Sequence, residues 1–169
     1  MNRQERMNIR RKMLDMRKMR DRSRDLEAGE IDFLLEKIYL AIESELRDAA
    51  YYRALADIAP NQFALELIME FADDEREHAY QLQQAYEHLT GKTFKSEYEY
   101  EFDLDPADYE EYLRKRVLDE TADYKKYKSY YLMTHNPYLR DIFFNAMVDE
   151  SQHAQRELYL LETLGMPMM

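Results

Sequence analysis

Asp74-Glu75-Arg76-Glu77-His78 and Asp149-Glu150-Ser151-Gln152-His153 spell the same pattern, Asp-Glu-x-x-His, 75 positions apart. One further glutamate stands upstream of each copy, Glu45 and Glu120, and these two are also 75 positions apart. Carboxylates and imidazoles ligate divalent cations. Residues three apart on a helix share a face, so Glu75 with His78, and Glu150 with His153, can each address one ion. A lone Glu-x-x-His is weak evidence in a chain this rich in Glu. Its duplication, together with the matched upstream glutamates, makes Glu45, Glu75, His78, Glu120, Glu150 and His153 the candidate metal ligands, three from each copy.

The repeat extends to neighbouring residues. Asp74 and Asp149 are placed to accept the distal ring N–H of a histidine from the opposite copy, which would fix its tautomer. Tyr52 and Tyr127 follow the upstream glutamates by seven residues and return to the same helix face, where a phenol can hydrogen-bond a ligand carboxylate. With 15 tyrosines in the chain, core packing is the competing role. Asp48 and Asp123 also match and are candidates for lining a metal access route. Glu43 rivals Glu45 as the ligand of the first helix, but it aligns with Leu118, whereas Glu45 aligns with Glu120. Glu77 aligns with Gln152 and is assigned to solvent. His88 and His135 have no Glu three residues before them and are assigned to the surface or to helix ends.

Such a set has to be positioned by helices. Ile31, Leu35, Ile38, Ile42, Glu45, Ala49, Tyr52 and Ala56 advance in steps of four and three, one stripe of a bundle helix. Ala64, Ile68, Phe71, Glu75, His78, Leu82, Ala85 and Leu89 do the same in a second. A third helix is predicted to open at Asp105-Pro106 and to run through Tyr109, Leu113, Val117, Glu120, Tyr124, Tyr127 and Tyr131. A fourth opens at Asn136-Pro137, carries Leu139, Phe143, Ala146, Glu150, His153, Leu160 and Leu164, and stops at Gly165-Met166-Pro167. Pro60-Asn61 lies midway between Glu45 and Glu75, and His135-Asn136 midway between Glu120 and Glu150, so each pair of glutamates faces its partner at one height. Residues 90–104 alternate apolar and acidic side chains. Extended, such a segment reaches about 50 Å, enough to travel the length of the bundle. The expected fold is an all-α four-helix bundle, up-down-down-up, with a long crossover between helices 2 and 3.

Four inward carboxylates at one level cannot stay charged and unpaired. No lysine or arginine is expected on the inward face there, which leaves two divalent cations as the expected counter-charge. The chain has no cysteine, so disulfides, thiolate zinc sites and iron-sulfur clusters in this polypeptide are excluded. Residues 1–28 carry ten Lys/Arg against five Asp/Glu and form a basic Met/Arg-rich arm; the body, residues 29–169, carries 14 against 30. Acidity of that size argues against nucleic-acid binding by the bundle. No apolar run matches a membrane span, and the first residues lack a signal-peptide core, so a cytoplasmic protein is expected.

On these residues the chain resembles the ferritin-like di-iron carboxylate family, and most closely its rubrerythrin branch, over roughly residues 29–163; the ligand symmetry is also similar to that of bacterioferritin. The resemblance implies a four-helix bundle holding two non-haem irons, with manganese possible and zinc a substitute. It further implies reduction of hydrogen peroxide or dioxygen as the metals cycle between ferrous and ferric, with a homo-oligomer, a dimer, as the expected assembly. Where rubrerythrins often carry another ligand glutamate one turn after that of helix 3, this chain has Asp123. It has no Cys-ligated rubredoxin domain, so electrons would come from an external donor such as a rubredoxin-like protein. The alternatives are a ferroxidase or iron-handling ferritin-like protein, a manganese catalase or oxygenase, and a metal-free helical interaction module.

Overall fold

The computed structural model describes residues 33–164. The chain divides into two compact units, Met1–Glu36 and Lys37–Met169. Of the first, only residues 33–36 are described, a helical turn. The expected basic arm, residues 1–28, lies outside the described residues, as does the stop at Gly165-Met166-Pro167. Among the described residues there are four α-helices and no strand: α1, helical over residues 33–57, α2 (Gln62–Thr90), α3 (Tyr109–Met133) and α4 (Pro137–Thr163).

Local chemistry sets the ends. Asn61 caps α2 by accepting from the Ala64 N–H, and Asn136 caps α4 by accepting from Tyr138 and Leu139, with Pro137 at the first turn where its missing N–H costs nothing. α2 stops at Gly91, whose φ of 68° is left-handed and returns its N–H to the Glu87 carbonyl. Asp105 and Pro106 do begin a helix. It is first a short 3₁₀ turn, Pro106–Asp108, and becomes α3 at Tyr109. Arg140 closes the α3–α4 turn, donating to the Tyr131 and Thr134 carbonyls while its guanidinium lies 3.8 Å from the Tyr131 ring centre.

Side-chain contacts give the topology. His78 with Asp149 and His153 with Asp74 set α2 against α4 in opposite directions. Tyr52 with Glu120 and Tyr127 with Glu45 do the same for α1 and α3. The crossover follows α1 in the direction of its chain: Phe94 meets Tyr39, Ser96 and Tyr100 meet Glu43, and Phe102 meets Tyr51. The order is up-down-down-up, that of the ferritin-like bundle. Leu55, Ile68, Phe71, Leu113 and Leu160 form an apolar core towards the α1–α2 turn. Ile38, Ile42, Leu82, Leu139 and Phe143 are fully or nearly fully buried on the other side of the glutamates. Each such side chain contributes about 1.5–3 kcal/mol by leaving water, and the polar layer lies between the two.

Two stripes differ from expectation. In α3 the buried sequence is Tyr109, Leu113, Arg116, Glu120 and Tyr127, with Val117 only half-buried. Both 113–116–120 and 113–117–120 satisfy a 3.6 period, so apolar character favoured Val117 where electrostatics selects Arg116. In α4 the stripe includes Glu157, fully buried between His153 and Leu160.

Candidate metal centre

Glu45, Glu75, His78, Glu120, Glu150 and His153 are all buried; α1 and α3 contribute one terminal glutamate each, Glu45 and Glu120, while α2 and α4 each contribute a Glu and a His. They fall into two groups of four whose nearest ligand-type atoms all lie within 4.8 Å of one another: Glu45, Glu75, His78 and Glu150, and Glu75, Glu120, Glu150 and His153. Glu75 and Glu150 are common to both. His78 Nδ1 lies 3.2 Å from Glu75 and 3.5 Å from Glu45; His153 Nδ1 lies 3.2 Å from Glu75 and 3.4 Å from Glu120.

The opposite ring nitrogens face outward. His78 Nε2 is 3.1 Å from Asp149 and His153 Nε2 is 3.0 Å from Asp74, each aspartate on the other hairpin. A ring whose Nε2–H is committed to an aspartate presents Nδ1 to the cluster. Four of the inward atoms, Glu75 Oε1, Glu120 Oε2, Glu150 Oε1 and His153 Nδ1, have no hydrogen-bond partner. His153 Nδ1 is within ion-pair distance of Glu75 Oε1 yet not aligned to bond it, so these atoms share a common centre rather than pairing with each other. Unsatisfied buried donors and acceptors are rare, and a cation between them satisfies the whole set. The residues present therefore fit a metal.

The tyrosines cross between hairpins as well. Tyr52 donates to Glu120 at 2.5 Å, and Tyr127 donates to Glu45. Burial holds both phenols well above the usual tyrosine range. Asp48 and Asp123 occupy matching places, and each is joined to a terminal glutamate through a cation. Arg116 binds Asp48 at 3.2 Å and also Glu120, while Lys126 binds Asp123 at 2.9 Å and Glu45 at 3.2 Å. This corrects the expectation that no Lys or Arg faces inward. Both cations come from α3, and their repeat counterparts are Ala41 and Tyr51, so the duplication that located the acids hid the bases. Counting the two aspartates, six carboxylates face two fixed cations, and the deficit of positive charge remains.

Protons cover that deficit in the metal-free chain. Burial, then the charge of Glu45, pushes Glu75 up to about 7, and burial with Glu75 and Glu120 pushes Glu150 well above the carboxylate range. Against burial, which favours neutral imidazole, the carboxylates of Asp74, Glu120 and Glu75 raise His153 to about 11, and those of Asp149, Glu45 and Glu75 hold His78 well above the usual imidazole range. Glu45 and Glu120 stay low despite burial, the first by Lys126 and His78, the second by Glu150 and Arg116.

Glu43, the rival to Glu45, instead turns to the crossover and accepts from Ser96 and Tyr100 at 2.8 and 2.9 Å. Glu77, His88 and His135 are exposed. A cleft of about 380 Å³ lined by Arg47, Asp48, Tyr51, Phe102, Arg116 and Asp123 leads from the surface to the Asp48–Arg116–Glu120 bridge. Glu157, which the repeat gave no reason to single out because its counterpart is Leu82, has its Oε1 2.7 Å from the Tyr52 hydroxyl oxygen. The step 150–153–157–160 was the signal that could have found it.

A family model, Rubrerythrin, matches residues 36–161. The chain belongs to the rubrerythrin family. That is a ferritin-like di-iron carboxylate family, and the match spans every residue of the cluster. No curated protein matches the chain. As a rubrerythrin-family bundle it has, among its described residues, no helix long and apolar enough to cross a membrane.

Proposed function

We propose that the chain is a di-iron oxidoreductase that reduces hydrogen peroxide or dioxygen with electrons from a separate donor. The observation that carries this reading is the pair of four-residue groups sharing Glu75 and Glu150, with unpaired inward atoms. Glu45 and His78 would hold one iron, Glu120 and His153 the other, and Glu75 and Glu150 both. One imidazole and an excess of carboxylate oxygen per ion suit iron or manganese, with zinc as a substitute. When bound, two irons would supply the two electrons that peroxide reduction consumes.

The chain's own residues do the rest. Asp74 and Asp149 hold the imidazoles in one tautomer and orientation. Tyr52 and Tyr127 tie the terminal carboxylates across the hairpins, and the apolar layers on either side exclude water. The cleft at Asp48 and Asp123 is assigned as the access route. None of these 169 residues is a cysteine that could hold a thiolate-ligated iron, and the reading assigns the electrons to a separate donor such as a rubredoxin-like protein. Assembly as a homodimer in the cytoplasm belongs to the same reading.

Mixing anaerobic, ferrous-loaded protein with peroxide or dioxygen in stopped flow tests it. Oxidation faster than that of free ferrous ion, stopping at two irons per chain, is expected. A rate no faster than free ferrous ion sinks the proposal. Uptake of many irons per chain would favour ferroxidase and storage instead, and oxygen evolution from peroxide by manganese-loaded protein would favour catalase.

A further inference from the structure

Glu157 is a carboxylate that the proposed metal set does not use. It stands on α4 one turn beyond His153, is fully buried, and replaces a leucine of the first hairpin, Leu82, that is equally buried. Hydrogen-bond accounting around it is one hydrogen short. The Tyr52 hydroxyl oxygen lies 2.5 Å from Glu120 Oε1 and 2.7 Å from Glu157 Oε1. Both are hydrogen-bond distances, and a phenol has one hydrogen to donate. The second hydrogen must sit on one of the carboxylates.

The two acids are not equivalent. Glu120 Oε1 also accepts from the Arg116 guanidinium, which marks Glu120 as the anion. Among the described residues no cation lies within ion-pair distance of Glu157, and its Oε2 has no hydrogen-bond partner. A buried carboxylate with no counter-charge in direct contact neutralises rather than remain charged; burial and the nearby charge of Glu120 push Glu157 well above the carboxylate range, against the pull of Arg116 and His153 from beyond ion-pair distance. We infer that Glu157 is a carboxylic acid donating to the Tyr52 oxygen while Tyr52 donates to Glu120, a two-hydrogen relay that crosses between the hairpins on the Glu120 side of the site and is absent from the Glu45 side. At the matching position Tyr127 reaches Glu45 and faces no second acid, because Leu82 stands there.

With one hydrogen held on Glu157, the Tyr52 hydrogen stays directed at Glu120 Oε1, and Glu120 remains an ionised acceptor fixed by Tyr52 and Arg116. A ligand carboxylate must be deprotonated to hold a cation, so Glu157 acts on Glu120, through Tyr52, as a positioning residue. That role towards a bound metal rests on the function proposed above; the protonation of Glu157 does not.

Infrared difference spectroscopy of the full chain loaded with zinc, which is redox-silent, tests the relay. Glu157→Gln minus wild type is expected to show loss of one carboxylic-acid C=O band that moves on H/D exchange. Tyr52→Phe should shift that band, and Tyr127→Phe should leave it in place. Glu157→Leu, which restores the residue of the other hairpin, must show the same loss and secures the test should the Gln variant misfold. Retention of every acid band in both variants, or a lost band indifferent to Tyr52→Phe, overturns the inference. If the chain binds no zinc, the function reading fails, while the same difference spectrum of metal-free protein still decides the state of Glu157.

Discussion

Arg116 shows how a buried charge is both a requirement and a hazard. Its side chain is 4 % exposed and bonds Asp48 and Glu120 together. Removing one partner of a buried ionic cluster leaves the others uncompensated, at a cost of about 3–5 kcal/mol. Arg116→Met should therefore destabilise the metal-free protein by about that much in urea denaturation. Lys126 and its partner Asp123 are 19 % and 20 % exposed on their side chains, so water can replace the ammonium there, and Lys126→Met should cost clearly less. Equal small losses would show that the cations do not support the cluster. The six candidate ligands were legible in the sequence because duplication singled them out from a Glu-rich background. Arg116 and Lys126 were not, because neither is duplicated, and Val117 satisfied the same helical period as Arg116. Glu157 was hidden for the same reason, its repeat mate being an ordinary core leucine.

At the scale of elements, the site depends on helices of matched length. Glutamates stand equally far from the Pro60-Asn61 and His135-Asn136 turns, so each hairpin brings its acids to one level, and the sequence showed this plainly. The direction of α3 relative to α2 followed from the reach of residues 90–104. What ties that crossover down was not foreseen: Glu43, set aside as a rival ligand, accepts from Ser96 and Tyr100. Losing a partly buried acceptor of two hydroxyls costs about 1–2 kcal/mol. Glu43→Ala should lower stability by about that amount and speed proteolysis within residues 91–105, leaving metal content at the wild-type value. Loss of metal in Glu43→Ala would instead place Glu43 in the site. Glu45→Ala is the contrast, expected to keep the crossover protected and to lose metal.

For the whole molecule, protons and metal compete for one set of atoms, and the pH dependence has a definite sign. His78 and His153 are raised from 6.5, so their contribution to stability is complete below about 6.5 and is lost as pH rises towards the folded value, about 11 for His153. Glu75 is raised from 4.5 to about 7; across that window the folded state keeps a proton that the unfolded chain has released, so stability again falls as pH rises. Glu45 and Glu120 are depressed and lose their contribution only below 4.5, outside the range. Metal-free protein should thus melt at a higher temperature at pH 6 than at pH 8, and the stabilisation added by metal should be larger at pH 8, with protons released on loading. A metal-free melting temperature that rises from pH 6 to pH 8 would contradict this balance. The most direct measurement is anomalous diffraction at the iron edge from crystals loaded with ferrous ion under anaerobic conditions. Two peaks per chain are predicted, one among Glu45, His78, Glu75 and Glu150 and one among Glu75, Glu150, Glu120 and His153; no peak inside the bundle, or a peak away from these side chains, would contradict the account.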